Sequence, residues 1–312
     1  MKKRKVYLGI PNHCYQRTVD RMVIFYTVSD YLLYFTIYCT TAVKYQVQVL
    51  KLSLMPDHIH QLVTEGKKGE LSSFQKECHS RFAREYNRLC HRSGHLFEHH
   101  FGSAAKYDTK AIRTNLLYLD NNPVERKLAV HAEDYQWNFL SYGASDHPFS
   151  ERIVLRDASR ALRGAMKEVQ FQHGAGRFLP YAMLQRLFRS LPDNRERAQL
   201  TDYIVCTYSI IDHAAAIRYF GSYEEELLAA HATAGGIRVH DFLEQFEGES
   251  DACYRKMTEV LRREGKYQKD IHEIFALPEE QRLELFRLLR RATSAPTRQI
   301  AKFLHFPPFP VL

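Results

Sequence analysis

The sequence predicts an α+β fold, an antiparallel sheet with helices on it, followed by a mainly helical second half. Three observations carry that expectation. Before residue 108, short runs alternate apolar and polar residues with the period of two that a strand requires. Between those runs, apolar residues recur every three or four positions, the spacing of an amphipathic helix. Beyond residue 150 the strand pattern disappears and helical spacing continues almost to the end of the chain.

Taken in order, residues 4–17 read as an opening strand, with Val6, Leu8 and Ile10 alternating before Pro11. Ser29 is placed to cap a helix over 30–42, in which Leu33, Ile37 and Thr40 share a face. A strand over 43–54 alternates Tyr45, Val47 and Val49 with Lys44, Gln46 and Gln48, which predicts one buried face. Pro56 interrupts it, and a second strand over 57–64 makes a hairpin. From Leu71 to Leu89 a helix has Phe74, Cys78, Phe82 and Tyr86 on its apolar stripe and Lys76, Arg81, Arg84 and Arg88 on its other faces. His95 to Tyr107 reads as a further strand. Asp108 or Thr109 then caps a helix burying Ile112, Leu116 and Leu119, which Pro123 is expected to stop. Up to Tyr107 this order is β-α-β-β-α-β, the ferredoxin-like arrangement, and the helix of 109–122 is added to it. In one common strand order of that fold the first and third strands are central. The third strand would then hold His58 and His60 mid-sheet, on the face away from the first two helices, where the added helix can close over them.

At 312 residues the chain is long for one domain, and the pattern divides it into 1–145 and 146–312, joined by a linker over 143–150. With 45% hydrophobic residues it can build proper cores. The net charge of +8 is uneven: residues 1–150 carry 20 Lys and Arg against 14 Asp and Glu, and the rest carry 24 against 22. A basic first half favours a polyanion such as nucleic acid, although a solvated basic face needs no partner. The six cysteines form no Cys-x-x-Cys pair, which argues against a zinc ribbon or disulfide scaffold and fits a reduced, cytoplasmic protein. The most apolar run, Tyr31 to Val43, falls short of the about 20 residues a membrane span needs.

Residues i and i+2 of a strand share a face, so His58 and His60 point together while Ile59 turns to the core. Two adjacent imidazoles can chelate a divalent cation, but an isolated His-x-His is more often a pair of ordinary strand histidines. Tyr118 and Asn122 are i and i+4 on one helix side. Packing and a C-cap are their default roles. His91, His95, His99 and His100 lie close in sequence, but Gly94 breaks their spacing and they present no trusted ligand geometry.

Together the motifs are specific. Met-Pro-Asp-His-Ile-His (55–60), Phe-Ala-Arg-Glu-Tyr-Asn (82–87), Ser-Gly-His-Leu-Phe-Glu (93–98) and Leu-Tyr-Leu-Asp-Asn-Asn-Pro-Val-Glu (117–125), followed by Tyr135-Gln136-Trp137 and Ser141-Tyr142, occur in one order. Over about residues 5–142 they resemble the IS200-like Y1 (HUH) transposases, and within them the REP-associated tyrosine transposases. The resemblance implies that Tyr118 is the nucleophile, that His58, His60 and Asn122 hold a divalent metal, Mg²⁺ or Mn²⁺, and that the protein is bacterial and acts near the nucleoid. Its substrate would be single-stranded DNA near a hairpin of a palindromic repeat, nicked and rejoined through a 5′-phosphotyrosine. Imidazole ligands suit Mn²⁺ better than Mg²⁺. Arg81, Arg84, Arg88 and Arg113 are candidate phosphate contacts, each also readable as a plain solvated charge. A homodimer is a further expectation. The alternative is a catalytically inactive hairpin-binding protein that keeps the fold. Two positions depart from the family pattern: Asp57 stands where Asn is usual, which looks mild because the position is no ligand, and His100 stands near a usually basic position.

The second half lies outside that resemblance. Helices are expected around 157–170, 180–190, 197–218 and 222–232, then a break at Gly235-Gly236, and a last long helix from Pro278 to Arg291. Residues 295–304 are similar to the first helix of a helix-turn-helix, but the Pro-rich sequence 307–310 leaves no room for a recognition helix. The expectation is a helical domain that packs on the first or aids DNA binding.

Overall fold

In the computed structural model the described residues are 6–234, 250–263 and 270–307, so the Gly235-Gly236 break lies outside them. The first half has the predicted order: β1 (Asn12–Arg17), α1 (Val28–Lys44), β2 (Gln48–Met55), β3 (His58–Thr64), α2 (Glu70–Leu89), β4 (Gly102–Ala105) and α3 (Thr109–Glu125). The strands form one antiparallel sheet in the order β2-β3-β1-β4, so β3 is internal, as expected. The α+β reading of the sequence therefore holds.

Element ends differ from expectation for local reasons. The opening strand starts only at Asn12, because Tyr7 to Ile10 closes a turn through the Ile10 N–H and the Tyr7 carbonyl (3.2 Å). Thr27, not Ser29, caps α1, in a capping box with Asp30. That helix runs on to Lys44, and Gln46 in the left-handed region (φ 51°) reverses the chain, so β2 begins at Gln48. The sequence before β4 is irregular from His95, with one bridge between Phe97 and Thr18. The N-terminus of α2 is satisfied by the Glu65 carboxylate, which accepts from the N–H groups of Gly69 (3.1 Å) and Leu71 (3.2 Å). Asp108 caps α3 by accepting from Ala111 N (2.8 Å). Pro123 does not stop α3: the helix continues one short turn to Glu125, with Arg126 N donating to the Asn122 carbonyl at 3.1 Å. Pro123 gives up its own N–H bond and crowds the carbonyl four residues before it, but it stands two residues from the helix end, where the remaining turn is short.

Neither face of β2 and β3 meets solvent beyond Gln48, contrary to the one-faced pattern expected. On one side α1 and α2 pack against Ile59 and Val63, and Gln61 accepts from the Tyr38 hydroxyl (2.8 Å) and donates to Gln75 (3.0 Å). On the other side α3 lays Ile112, Leu116, Tyr118 and Leu119 against Leu50 and Leu62. Large aromatic rings dominate the first core, with Tyr31 stacked on Trp137 at 4.3 Å and Phe35 on Phe139 at 4.6 Å.

The second half is helical: α4 (Arg160–Gly174), α5 (Tyr181–Arg189), α6 (Asn194–Tyr208), α7 (His213–Ile217), α8 (Tyr223–Thr233), α9 (Ala252–Arg263), α10 (Glu279–Thr293) and α11 (Thr297–Leu304). The helix expected over 197–218 is broken at 209–212, where Asp212 N donates to the Val49 carbonyl (2.8 Å) and Ile211 bridges the edge of β2. Residues 143–150 are tied down: Asp202 of α6 accepts from Phe149 N (3.0 Å), Ser150 Oγ (2.8 Å) and the Tyr142 hydroxyl (2.6 Å). The first core continues without a break from α1 into α4, α5 and α6. The last helix, α11, is buried by Ile300, Phe303 and Leu304, and Tyr26 donates to the Phe303 carbonyl at 2.6 Å. It packs on the first half of the chain through Val23 and Tyr26.

Candidate active site

Strand register assembles one polar sheet face. His58 lies opposite Arg17 and Met55, His60 opposite Tyr15 and Ser53, and Leu62 opposite His13 and Lys51. Residues directly opposite in an antiparallel pair share a face, so His13, His58 and His60 converge under α3. The centroids of His58 and His60 are 4.9 Å apart. Tyr15 lies flat across Gly102, its cross-strand partner on β4, where a Cβ would fall inside the tyrosine ring.

The helix meets this face along the spacing Asn115, Tyr118, Asn122. Asn115 Nδ2 donates to His13 Nδ1 at 2.9 Å, and the Tyr118 ring stands 5.6 Å from His60 and 5.7 Å from His13. Asn122, one turn beyond Tyr118, is buried, and its Oδ1 has no hydrogen-bond partner. It sits inside the helix, with only its backbone carbonyl serving the terminal turn, so the C-cap role is not the one its side chain plays. The structure thus brings His58 and His60 on the sheet and Tyr118 on α3 together within one chain.

Hydrogen bonds orient the histidines. The Asp57 carboxylate lies 2.5 Å from His58 Nδ1. Burial works against that carboxylate, but the attraction of His58, with smaller pulls from Arg126 and Lys302, holds its pKa well below the usual range. With Nδ1 turned to Asp57, the other ring nitrogen of His58, Nε2, is buried with no hydrogen-bond partner. Asp57, read from the sequence as a mild departure, is therefore the residue that sets the tautomer of His58. His60 Nδ1 lies 3.0 Å from His13 Nε2. Neither His58 nor His60 has any exposed surface, and Tyr118 is 7% exposed.

The candidate DNA contacts are elsewhere. Arg81, Arg84 and Arg88 lie on α2, across the sheet from Tyr118; Arg81 pairs with Glu77 (2.5 Å) and Arg88 with Glu85 (2.9 Å). Arg113 is exposed on α3, with its guanidinium 5.3 Å from the centroid of Phe220. His100 is exposed in the loop before β4. His13 and Asn115 went unnoticed in the sequence. The signal available was the alternation of His13, Tyr15 and Arg17 after Pro11, which puts all three on one strand face.

Beneath α3 the C-terminal helices continue the polar network. Lys51 pairs with Asp120 of α3 and lies 3.5 Å from Glu226 of α8, all three buried. Burial raises the Asp120 carboxyl to about 7 even though Lys51 pulls it down. Asn121 Nδ2 donates to the Ala230 carbonyl at 2.9 Å, so α8 braces the helix that carries Tyr118.

Among the described residues no helix is long and apolar enough to cross a membrane. No curated protein matches the chain. A solved structure described as "Structure of the REP associates tyrosine transposase bound to a REP hairpin" is similar at 18% identity, covering 49% of this chain and 98% of that one with a TM-score of 0.41. A family model described as "Transposase IS200 like" matches residues 10–122, a span that contains His13, His58, His60, Tyr118 and Asn122. Over residues 10–122 the chain is therefore similar to the IS200-like transposases.

Proposed function

We propose that this protein nicks and rejoins single-stranded DNA beside a hairpin, with Tyr118 as nucleophile and with His58, His60 and Asn122 as the residues that would hold one divalent cation, Mg²⁺ or Mn²⁺. The observation that carries the reading is the Tyr118 ring 5.6 Å from His60 in the same chain, on a face where His58 Nε2 and Asn122 Oδ1 are buried acceptors without partners. Such orphaned acceptors cost free energy unless something binds them, and two imidazoles with one amide oxygen fit a cation of the Mn²⁺ class. When bound, the cation withdraws charge from a non-bridging phosphate oxygen.

The chain's own residues supply the rest. The Tyr118 oxygen attacks phosphorus and gives up its proton; the bond from phosphorus to the 3′-oxygen breaks, and that oxygen gains a proton. The products are a 5′-phosphotyrosine and a free 3′-hydroxyl, which keeps the bond energy for rejoining. That one chain carries both halves of the site supports action in cis. The hairpin and the phosphate contacts of Arg81, Arg84, Arg88 and Arg113 come from the resemblance of the motifs and the basic charge of the first half.

The complete burial of both histidines means that a DNA strand reaches them only after α3 or the helices over it move. That burial also favours a second reading, a hairpin-binding protein without cleavage. One experiment separates them: the full chain is incubated with a hairpin-bearing single-stranded oligonucleotide and Mn²⁺, and covalent adduct is resolved on a denaturing gel. The proposal expects an adduct that Tyr118→Phe abolishes. Salt-sensitive binding with no adduct under any divalent ion supports the second reading, and an adduct retained in Tyr118→Phe overturns the assignment of the nucleophile.

A further inference from the structure

We infer that His131, Glu133 and His231 form a second metal site, separate from the one under α3 and suited to Zn²⁺ or a similar transition metal. Their ligand atoms all lie within 4.8 Å of one another. Glu133 sits in the short turn that follows α3, with His131 just before it, and His231 comes from α8, about a hundred residues on. His231 Nε2 is 2.8 Å from Glu133 Oε1, and the His131 and His231 rings are 4.8 Å apart.

Donor chemistry selects the metal class. Two imidazoles and one carboxylate, with a fourth position left to water, match the three-ligand sites Zn²⁺ adopts. Mg²⁺ and Ca²⁺ prefer an all-oxygen shell, which these residues do not offer. An ion can enter from solvent, since His131 and His231 are exposed and Glu133 is half-buried.

The site also stands on a rigid base. Each ligand neighbours a buried alanine: Ala132 lies between His131 and Glu133, and Ala230 precedes His231, and both pack in one small cluster with Leu117 and Leu140. The backbone of the turn is fixed as well, because Asn138 Nδ2 donates to the Ala132 carbonyl (2.6 Å) and Ser141 Oγ to the Glu133 carbonyl (2.8 Å). Ligands held this way lose little freedom on binding an ion. A plain His231–Glu133 ion pair accounts for two of the three residues, and the capping of the turn by His131 through Asp134 does not require its ring to stand 4.8 Å from that of His231. A metal here would staple α8 to the turn after α3 and so stiffen the brace that Glu226 and Asn121 already provide.

The test is metal binding by the full-length His58→Ala/His60→Ala variant, which removes the other site, titrated with Zn²⁺ by calorimetry and with Co²⁺ by its visible absorption. The inference expects about one equivalent bound, with the intense Co²⁺ spectrum of a four-coordinate site. Adding His231→Ala or Glu133→Gln should weaken binding by about tenfold or more, with circular dichroism unchanged because His231 is exposed and Glu133→Gln keeps the shape of a half-buried side chain. No Zn²⁺ binding in the first variant, or equal affinity after His231→Ala, overturns it. The readout is independent of DNA cleavage, so loss of the transposase reading would leave it standing.

Discussion

His13 Nε2 lies 3.0 Å from His60 Nδ1, and Asn115 Nδ2 donates to the other nitrogen of His13 at 2.9 Å. The chain of bonds has a direction. With the Asn115 amide donating, a neutral His13 carries its proton on Nε2 and gives it to His60 Nδ1, which places the His60 proton on Nε2. Turning the amide so that Oδ1, otherwise a buried atom without a partner, accepts from His13 reverses both tautomers and frees a lone pair on His60 Nε2. His13 is thus a positioning residue for His60. Partners of this kind typically contribute 10- to 100-fold in metal affinity. We expect His13→Ala to weaken Mn²⁺ binding by about 10- to 100-fold, measured by calorimetry, and Asn115→Asp, which can only accept when ionised, to weaken it less. Equal affinity in His13→Ala and the native protein would remove His13 from the site.

Gly102→Ala should disturb the same face from the opposite edge. A methyl group there enters the Tyr15 ring, and Tyr15 stands 6.3 Å from His60. The backbone at Gly102 has an ordinary negative φ, so crowding is the whole effect. Overpacking of this kind costs roughly 1–3 kcal/mol. The thermal midpoint should fall, and Tyr15→Ala in the same chain should recover part of the loss. A Gly102→Ala protein as stable as the native one would show that Tyr15 swings away freely.

What was legible in the sequence followed from local spacing. The pair at 58 and 60 and the pair at 118 and 122 each declare a common face by period alone, and Leu71 to Tyr86 declares the buried stripe of α2. His13 did not, because its meeting with His60 depends on the β1–β3 register, which pairs residues 47 positions apart. The ends of elements were hidden for a related reason: Gln46 turns and Pro123 is tolerated because of what surrounds them, not because of their neighbours in the chain. The burial of the polar sheet face was also hidden, since α3 and α7 cover it with residues up to about 160 positions away.

Lys51, Asp120 and Glu226 couple stability to pH. Asp120 ionises at about 7 in the fold and at 3.8 in an ordinary environment, so between those values the folded chain holds a proton that the unfolded chain has lost. Stability from this group is full below pH 4 and falls as pH rises through 7. Asp120→Asn should flatten that slope in urea unfolding followed between pH 5 and 8. Lys51→Met should be worse than Asp120→Asn, because it leaves two buried acidic side chains without their cation, a loss of roughly 3–5 kcal/mol. A slope unchanged in Asp120→Asn would assign the coupling to another group.

His272 is the counterpart on the other side of the sheet. Its Nε2 is 2.9 Å from Asp30 and its Nδ1 2.6 Å from Asp270, so one imidazolium bridges the start of α1 and the segment before α10. Burial alone would lower its pKa, but the two carboxylates outweigh burial and raise it from 6.5 to about 10. The stabilisation is therefore fully present below pH 6.5 and lost as pH rises through 10. His272→Ala leaves Asp30 buried without its cation, with only the Tyr181 hydroxyl and its local capping bonds as partners. It should lower stability by roughly 3–5 kcal/mol near neutral pH. The gap between variant and native protein should narrow in unfolding curves taken from pH 8 to 11, as the native imidazolium deprotonates. A gap that stays constant over that range would mean the ring is bridging the two carboxylates without carrying a charge.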